Sequence, residues 1–446
     1  MKFHEFLISY GKSRGNHLFY KDEEQSFTYG EALREVDAIR DRLSSLSLSS
    51  HLVALYFTSM VDQLFYFLAV EWAGGIPLLV HEYLKGEEIG ELIEQQKVDD
   101  FISAVPFHGF SIEKMGDLYY EKFHHHNHWT GDMAVLTSGS SGVPKVFFRK
   151  AESWTDFFPH QNKVFHVNED SSLFFHGSLA FTGNLNMVME FLSAGASLHG
   201  SSVLSPRTWM KRIHEEEISH VYMIPSKLSP LSKVREKDDG LRFILTGSQL
   251  MTSTLFHRLK NCFPSSRVIL YYGASELSYV SFMEGEEILE HPDAVGKTFE
   301  GVQVSIQNGE IMVDTPYGVE GITRPFTCHD LGIIDDEGRI HFLGRREDVY
   351  HIQGNHVSKQ KVISHLLMVN GVEEAEILPL KKNDGDDRMI AFLAGDIPSS
   401  SEIVNQLSKK LRLWEIPHAF VKVKQIPRTS TGKTDRKKLR EMAGEL

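Results

Sequence analysis

Residues 137–145 combine hydroxyl groups, glycines and one lysine, and read Thr-Ser-Gly-Ser-Ser-Gly-Val-Pro-Lys. The apolar run over residues 133–136 precedes this segment and predicts a strand that delivers it. Glycine lets backbone N–H groups turn towards an anion, hydroxyls donate hydrogen bonds to it, and lysine supplies positive charge. The segment therefore predicts a loop that holds a polyphosphate, with an ordinary Gly/Ser turn as the alternative. Its candidate ligands are Thr137, Ser138, Gly139, Ser140, Ser141, Gly142 and Lys145.

Two other well-known loops do not account for this segment. A Walker A loop needs Gly-x-x-x-x-Gly-Lys-Ser/Thr, and residues 137–145 lack that spacing. Residues 432–434 read Gly-Lys-Thr, but Pro427 stands where the motif needs its first glycine. The Gly-x-Ser-x-Gly pattern of hydrolase nucleophiles is also missing around Ser140 and Ser141. These motifs therefore favour neither a P-loop NTPase nor an α/β-hydrolase.

Further motifs follow the loop in a fixed order along the chain. They are residues 271–276 (Tyr-Tyr-Gly-Ala-Ser-Glu), 330–332 (Asp-Leu-Gly), 344–348 (Gly-Arg-Arg-Glu-Asp), Gly354, and 427–433 (Pro-Arg-Thr-Ser-Thr-Gly-Lys). With the loop, this order resembles the AMP-forming adenylate-forming superfamily, which includes acyl-CoA synthetases, peptide-synthetase adenylation domains and luciferases. The resemblance extends from Thr28 to Lys433, and so covers nearly the whole chain.

The resemblance implies that several of these residues bind the phosphates of ATP. Thr137, Ser138 and Lys145 would hold the β- and γ-phosphates. Ser275 stands where relatives usually have Thr, and its hydroxyl would contact the α-phosphate. Glu276 resembles the carboxylate that binds magnesium, an ion that prefers a few hard oxygens beside phosphates. ATP and Mg²⁺ are thus the expected ligands of this part of the site.

The resemblance also implies a nucleoside site and a catalytic lysine. Tyr272 would lie along adenine, beside Gly273, and Asp330 would accept hydrogen bonds from the ribose hydroxyls. Arg345 would support the ribose and pyrophosphate region. Lys433 resembles the lysine that bridges the acid substrate and the α-phosphate as charge develops there.

Each of these side chains also has a purely structural interpretation. Glu276 could be a solvated loop carboxylate, and Asp330 could be a turn residue. Lys433 could belong to a surface cluster of lysines near the C-terminus, and Arg345 could pair with the acidic residue at 347 or 348. These alternatives remain open at this point.

The implied reaction has two steps. A carboxylate attacks the α-phosphorus of ATP and gives an acyl-adenylate and pyrophosphate. The C-terminal domain then re-orients about Glu347, the expected hinge, and brings Gly354 to the CoA side, where a thiol attacks and AMP leaves. Cys328-His329 replaces the usual Thr-Gly before Asp330, and residues 359–363 lose two usual acids. These changes lie on the thiol side and at the acid pocket more than at the ATP site, so they bear on thioester formation more than on adenylation.

The acid pocket is predicted from residues near the two tyrosines. Amino-acid-activating relatives carry an Asp where this chain has Thr182, and an uncompensated ammonium group would be costly in such a pocket. A plain carboxylic acid, fatty or aromatic, is therefore expected. The predicted pocket residues are Phe181, Thr182, Gly247, Ser248 and Tyr271.

Composition sets the broad class of protein. The chain has 446 residues and a formal net charge of −13, which argues against a general nucleic-acid binder. Two cysteines, Cys262 and Cys328, are too few for a disulfide framework. The N-terminus lacks a signal-peptide pattern, and no apolar run is long enough to span a membrane. A cytoplasmic enzyme is expected.

The elements that must position these residues are predicted from hydrophobic periodicity. Strands alternate with helices over the first hundred residues and again over residues 171–271, which indicates largely parallel sheets. From residue 302 short strands and Gly/Asp turns indicate an antiparallel region. The expected fold class is α/β, with a large N-terminal domain (1–345) of parallel βα sheets plus a β-barrel-like subdomain. A small α+β lid domain (346–446) completes the chain.

The predicted function is ATP-dependent activation of a carboxylic acid and its transfer to CoA, that is, an AMP-forming acyl-CoA synthetase. Two alternatives stay open: a ligase that loads an acyl carrier protein, and a non-catalytic nucleotide-binding relative. No nucleic-acid partner is expected. The acid, its chain length and the oligomeric state cannot be read from the sequence.

Overall fold

The computed structural model describes residues 1–107, 113–123, 125, 129–137, 144–345, 348–352, 355–380, 388–428 and 434–444. Within these residues strands and helices alternate as the hydrophobic pattern predicts, and the α/β class is confirmed. The strands are β1 (Leu18–Lys21), β2 (Ser26–Thr28), β3 (Leu52–Tyr56), β4 (Ile76–Leu79), β5 (Asp100–Ser103), β6 (Glu113–Met115), β7 (Leu118–Lys122), β8 (Met133–Thr137), β9 (Lys145–Arg149), β10 (Ser172–His176), β11 (Ser197–Ser201), β12 (His220–Tyr222), β13 (Phe243–Gly247), β14 (Arg267–Ala274), β15 (Ser278–Glu284), β16 (Ala294–Thr298), β17 (Gln303–Gln307), β18 (Glu310–Asp314), β19 (Asp330–Ile334), β20 (Ile340–Arg345), β21 (Val349–Ile352), β22 (Asn355–Ser358), β23 (Val372–Leu380), β24 (Arg388–Gly395) and β25 (Ala419–Lys422).

The helices fill the connections between these strands. They are α1 (Phe3–Ser13), α2 (Tyr29–Leu43), α3 (Met60–Trp72), α4 (Gly86–Gln96), α5 (Glu152–Thr155), α6 (Phe158–Phe165), α7 (Thr182–Ala194), α8 (Pro206–Glu215), α9 (Pro225–Leu231), α10 (Ser253–Cys262), α11 (Glu287–Glu290), α12 (Lys359–Met368), α13 (Ser400–Leu407) and α14 (Arg436–Gly444). Side-chain caps fix several helix starts: Thr28, for example, accepts a hydrogen bond from the backbone N–H of Glu31 at the start of α2.

The larger sheet joins a parallel part to an antiparallel part. In the described residues it contains 13 strands in the order β17-β18-β19-β20-β16-β15-β14-β13-β12-β10-β11-β1-β2. Strands β14, β13, β12, β10, β11 and β1 run parallel to one another, and β2 pairs antiparallel with β1 at the edge. From β15 onwards the pairing is antiparallel, so the antiparallel region predicted from residue 302 begins earlier, at Ser278. The antiparallel region is thus continuous with the parallel one rather than separated from it.

A second sheet of seven strands has the order β6-β7-β5-β3-β4-β8-β9. Its centre is parallel, and β9 returns antiparallel to β8 at one edge. The main hydrophobic core contains side chains from both large sheets together with α1, α2, α3 and α7. Helix α3 is apolar on nearly all sides, from Met60 to Val70, because it lies inside this core rather than on its surface.

The C-terminal part of the chain forms a hairpin, β21-β22, and a sheet in the order β23-β24-β25. Helix α12 packs against β23 and has its own small hydrophobic core with α13. Glu373 forms ion pairs with Lys233 and Arg258, each at 2.8 Å, and so connects β23 to the region of α9 and α10. The division at residue 345 stays a prediction. No helix in the described part of the chain is long and apolar enough to cross a membrane.

Candidate active site

The predicted phosphate segment connects two antiparallel strands. Thr137 at the end of β8 is the register partner of Lys145 at the start of β9. The strand that was predicted to deliver the loop is therefore present, and a second strand returns from it. Lys145 is exposed at this position. Residues 138–143 lie outside the described residues, and with them the candidates Ser138, Gly139, Ser140, Ser141 and Gly142.

Three elements meet through two hydrogen bonds beside this segment. The hydroxyl of Ser275 donates to the Thr182 hydroxyl over 3.2 Å, and the Thr182 hydroxyl donates to the Leu136 carbonyl over 3.3 Å. Ser275 lies in the turn after β14, Thr182 is the first residue of α7, and Leu136 precedes the end of β8. Two residues that the sequence assigned to different subsites, the α-phosphate and the acid, are thus direct neighbours.

Arg149 fixes the backbone of the Ser275 turn through a hydrogen bond. Its guanidinium is fully buried and donates to the carbonyl of Ser275 (2.7 Å), the carbonyl of Tyr317 (2.9 Å) and the hydroxyl of Ser153 (3.0 Å). Burial lowers the pKa of Arg149 to about 9, and the nearby Glu276 carboxylate opposes that shift. Arg149 therefore carries its charge at neutral pH.

The sequence analysis did not single out Arg149. The available signal is one cation at the end of the run Val-Phe-Phe over residues 146–148, in a strand that pairs with apolar β8. Because β9 begins at Lys145 and ends at Arg149, the same strand borders the predicted phosphate segment and supports the Ser275 turn.

Glu276 has the surroundings that a metal-binding carboxylate needs. It is half-buried, and none of the described residues donates a hydrogen bond to its carboxylate. Its backbone carbonyl is fixed by the N–H of Val319 at 2.9 Å. No cluster of three or more His, Cys, Asp or Glu ligands occurs in the described residues. A single carboxylate fits Mg²⁺, which binds through one or two carboxylates plus phosphates and water rather than in a protein cage.

Buried Asp330 pairs with partly buried Tyr272. The Tyr272 hydroxyl donates to Oδ2 of Asp330 over 2.6 Å, and the Asp330 residue is 7% exposed. Arg345 lies 3.5 Å from Oδ1, an ion-pair contact, and Oδ1 accepts no hydrogen bond from the described residues. Burial raises the pKa of Asp330, whereas the Tyr272 hydroxyl and Arg345 lower it. Burial also raises the pKa of Tyr272, and the Asp330 charge adds to that shift.

These contacts decide between some of the structural alternatives. Asp330 begins β19 in register with Arg345 on β20, so it is not a solvated turn residue. Arg345 pairs with Asp330 rather than with Asp348, which pairs with Arg436 at 2.8 Å. The turn before Asp330 forms although His329 stands where relatives usually have Gly. His329 adopts a left-handed backbone conformation with φ of 62°, which costs about 1–2 kcal/mol.

The residues predicted to line the acid pocket lie close together, but side chains fill the space beside two of them. Gly247 ends β13 next to Tyr271 on β14. A Cβ at Gly247 would lie 2.6 Å from the Tyr271 ring, which is 6% exposed. Ser248 follows with φ of 64°. Phe181 instead faces outwards, 47% exposed, with its ring centroid 4.5 Å from that of His81.

Three predicted residues cannot be located. Lys433, Glu347 and Gly354 lie outside the described residues. The segment that contains Lys433 is bracketed by a backbone bridge between Arg428 and Thr434. Their roles therefore stay predictions.

The chain belongs to the AMP-binding enzyme family, which matches residues 10–322. This range contains the segment 137–145, Thr182, Gly247 and the Ser275–Glu276 turn. The AMP-forming class that the ordered motifs resemble is thereby confirmed.

Relatives of known sequence and structure cover nearly all of the chain. VraA of Staphylococcus epidermidis, provisionally named a long chain fatty acid-CoA ligase, is 22% identical over 100% of both chains. The o-succinylbenzoate CoA synthetase MenE of Bacillus subtilis, solved with an acyl-adenylate, has a TM-score of 0.81 at 18% identity and covers 98% of this chain and 97% of its own. The amide bond synthetase McbA of Marinactinospora thermotolerans has a TM-score of 0.81 at 16% identity, with 99% of both chains covered. At these identities the two structures establish the fold, and the names of these proteins differ in acid and product.

Proposed function

We propose that this protein activates a carboxylic acid with ATP as an acyl-adenylate and then transfers the acyl group to the thiol of CoA. The observation that carries the proposal is the hydrogen-bonded chain from Ser275 through Thr182 to the Leu136 carbonyl. It brings the turn with the proposed metal carboxylate next to the strand that leads into the hydroxyl-rich segment. Family membership supports ATP and Mg²⁺ as ligands.

The nucleoside half of the proposed site rests on Asp330. Its Oδ1 is buried and accepts no hydrogen bond from the described residues, although an unsatisfied buried acceptor costs about 1–3 kcal/mol. A ribose hydroxyl would satisfy this atom, while the Tyr272 hydroxyl keeps Oδ2 in place. Arg345, at 3.5 Å, keeps positive charge on the same side.

Magnesium fits the single free carboxylate of Glu276. When bound, it would neutralise charge on the phosphates of ATP. Arg149 keeps the carbonyl of Ser275 fixed and so would help to orient both Ser275 and Glu276 towards the phosphates of ATP. Lys145, at the exposed end of the loop, would add a second positive charge.

The first step needs little covalent chemistry from the protein. A carboxylate oxygen of the acid forms a bond to the α-phosphorus, the bond to the bridging oxygen breaks, and pyrophosphate leaves with that electron pair. The protein positions the reactants and offsets negative charge. Lys433 is proposed to do this at the α-phosphate. In the second step the CoA sulfur attacks the acyl carbon, the thiol gives up its proton, and AMP leaves.

The proposed acyl acceptor is the thiol of CoA. CoA is favoured because the relatives named acyl–CoA ligases span most of this chain. An acyl carrier protein stays an alternative, and the amide bond synthetase fold adds an amine as a further outcome. The non-catalytic alternative predicts ATP binding without turnover.

The test is acid-dependent exchange of radiolabelled pyrophosphate into ATP by the purified protein, with each acid omitted in turn. Exchange that needs an acid supports adenylation. CoA, an acyl carrier protein and a simple amine are then supplied separately, and products are identified by mass spectrometry. ATP binding by calorimetry without exchange on any acid would contradict the proposal and favour the non-catalytic alternative.

A further inference from the structure

Two tyrosines occupy the space beside Gly183 and Gly247 at the ends of the parallel strands. Tyr222 ends β12 and Tyr271 lies on β14, on either side of β13. A Cβ at Gly183 would collide with the Tyr222 hydroxyl, and a Cβ at Gly247 would lie 2.6 Å from the Tyr271 ring. The two glycines therefore leave room for the tyrosine side chains, and the tyrosines take all of that room.

The tyrosines are held firmly in this position. Their hydroxyls are 2.7 Å apart and hydrogen-bonded to each other. Tyr222 is 4% exposed and Tyr271 6% exposed. The Tyr271 ring also packs on Tyr279, with ring centroids 4.3 Å apart. Rotating either side chain out of the core would break these contacts, and buried aromatic side chains contribute much of the packing free energy.

Thr182 and Gly183 place the tyrosine pair close to the Ser275 turn. Thr182, which contacts Ser275, begins the helix that also carries Gly183. Since the acid must reach the α-phosphate beside Ser275, its tail would extend from Thr182 towards Gly183 and Gly247, where the tyrosines stand. Neither of two surface clefts, of about 350 Å³ and about 310 Å³, is lined by any of these residues.

We propose that Tyr222 and Tyr271 form the end wall of the acid pocket and restrict the enzyme to short carboxylic acids such as acetate, propionate or butyrate. This inference rests on the proposed adenylation and narrows its substrate. The two rings close the space beyond Thr182 and Gly183, so long alkyl chains and aromatic acids are excluded. The sequence predicts a fatty or aromatic acid, and the proposal narrows this substrate to a short carboxylic acid.

The first experiment compares kcat/KM in the pyrophosphate exchange assay for acetate, propionate, butyrate, hexanoate, decanoate and benzoate. The natural protein is expected to prefer one of the first three acids, with decanoate and benzoate at least about 100-fold poorer. Exchange that is highest with decanoate or benzoate would overturn the inference and leave adenylation intact. No exchange with any acid would instead contradict the proposed function.

A second experiment tests whether the two tyrosines cause the restriction to short acids. Tyr271→Ala is expected to raise kcat/KM for hexanoate by about 10- to 200-fold relative to acetate. Tyr271→Phe is the matched control: it keeps the ring and should retain the preference for short acids. Tyr222→Ala opens the wall from the other strand, so it tests the same idea if Tyr271→Ala does not fold. A folded Ala variant of either tyrosine with the natural acid profile would show that the wall lies elsewhere.

Discussion

The nucleotide side and the acid side of the proposed site differ in how their buried polar atoms are satisfied. On the nucleotide side, Oδ1 of Asp330 and the carboxylate of Glu276 accept no hydrogen bonds from the described residues. On the acid side, the hydroxyls of Tyr222 and Tyr271 bond to each other, and their rings fill the space. In the proposed site, the first arrangement would accept hydrogen bonds from a polar ligand, and the second would exclude a large one.

The two sides of the proposed site would therefore select their ligands in opposite ways. An unsatisfied buried acceptor lowers stability until a donor binds, so it favours a ligand with hydroxyl groups. A packed wall adds stability and works by exclusion. Substitutions on the nucleotide side should therefore change ATP use, whereas those on the acid side should change which acid is accepted or how stable the fold is.

The largest effect is expected for Lys433→Ala, a residue outside the described ranges. Removing a group that stabilises developing charge costs about 2.7–4 kcal/mol, or about 10²- to 10³-fold in kcat for adenylation. Thiolation of a preformed acyl-adenylate should survive. Pyrophosphate exchange and thioester formation measure the two steps separately.

Lys437→Ala is the matched control for Lys433→Ala, because it removes an exposed lysine of α14 from the same cluster. It should leave both steps intact. Equal loss of both steps in Lys433→Ala would contradict the re-orientation of the C-terminal part. Equal effects of the two substitutions would favour the surface-cluster interpretation.

Asp330→Asn tests the unsatisfied acceptor of the nucleotide side. The amide loses the charge that faces Arg345 and weakens any bond from ribose, so binding of ATP should fall by about 1.5–3 kcal/mol. The KM for ATP should rise by the corresponding factor while the acid preference stays the same. Kinetics with varied ATP at saturating acid measure this.

Asp336→Asn provides the control for Asp330→Asn, since Asp336 is exposed at the end of the same hairpin. It should not change the KM for ATP. If Asp330→Asn alters only the acid preference, the two sides have been assigned the wrong way round.

Residue order and type suffice to propose the nucleotide side, whereas the acid side depends on packing that spacing does not show. Tyr272 lies in β14, Ser275 follows that strand and Asp330 opens β19, so order along the chain and residue type are enough to propose all three. The pairing of Tyr272 with Asp330 spans 58 residues and could not be read from spacing. The wall formed by Tyr222 and Tyr271 could not be predicted either. The sequence predicts that Tyr271 lines the acid pocket. Whether a tyrosine lines a pocket or fills it depends on the neighbouring strands and on Gly183.

Arg149→Met tests the support beneath the nucleotide side. The variant leaves the carbonyls of Ser275 and Tyr317 without their donor, so stability should fall by about 1–3 kcal/mol in urea unfolding. At a temperature where the variant is folded, kcat for exchange should fall with little change in the KM for the acid, because the Ser275 turn is displaced. Arg149→Lys should recover only part, since an ammonium cannot reproduce the guanidinium geometry.

Arg235→Met is the control for Arg149→Met, because it removes an exposed arginine. Its unfolding and kinetics should match those of the natural protein. A stability loss in Arg149→Met with unchanged kcat in the folded protein would limit Arg149 to a structural role.

The smallest effect is expected for Tyr222→Phe on the acid side. The substitution removes the hydroxyl that bonds to Tyr271 but keeps the ring, so stability should fall by about 0.5–1.5 kcal/mol, as for a typical hydrogen bond. The KM for ATP should not change, because the ring still fills the same space and Tyr222 belongs to the acid side of the proposed site. Tyr119→Phe, a partly exposed tyrosine of β7, is the control and should be neutral. A raised KM for ATP in Tyr222→Phe would mean that the nucleotide side and the acid side are coupled through β14. The two sides could then not be treated as selecting their ligands independently.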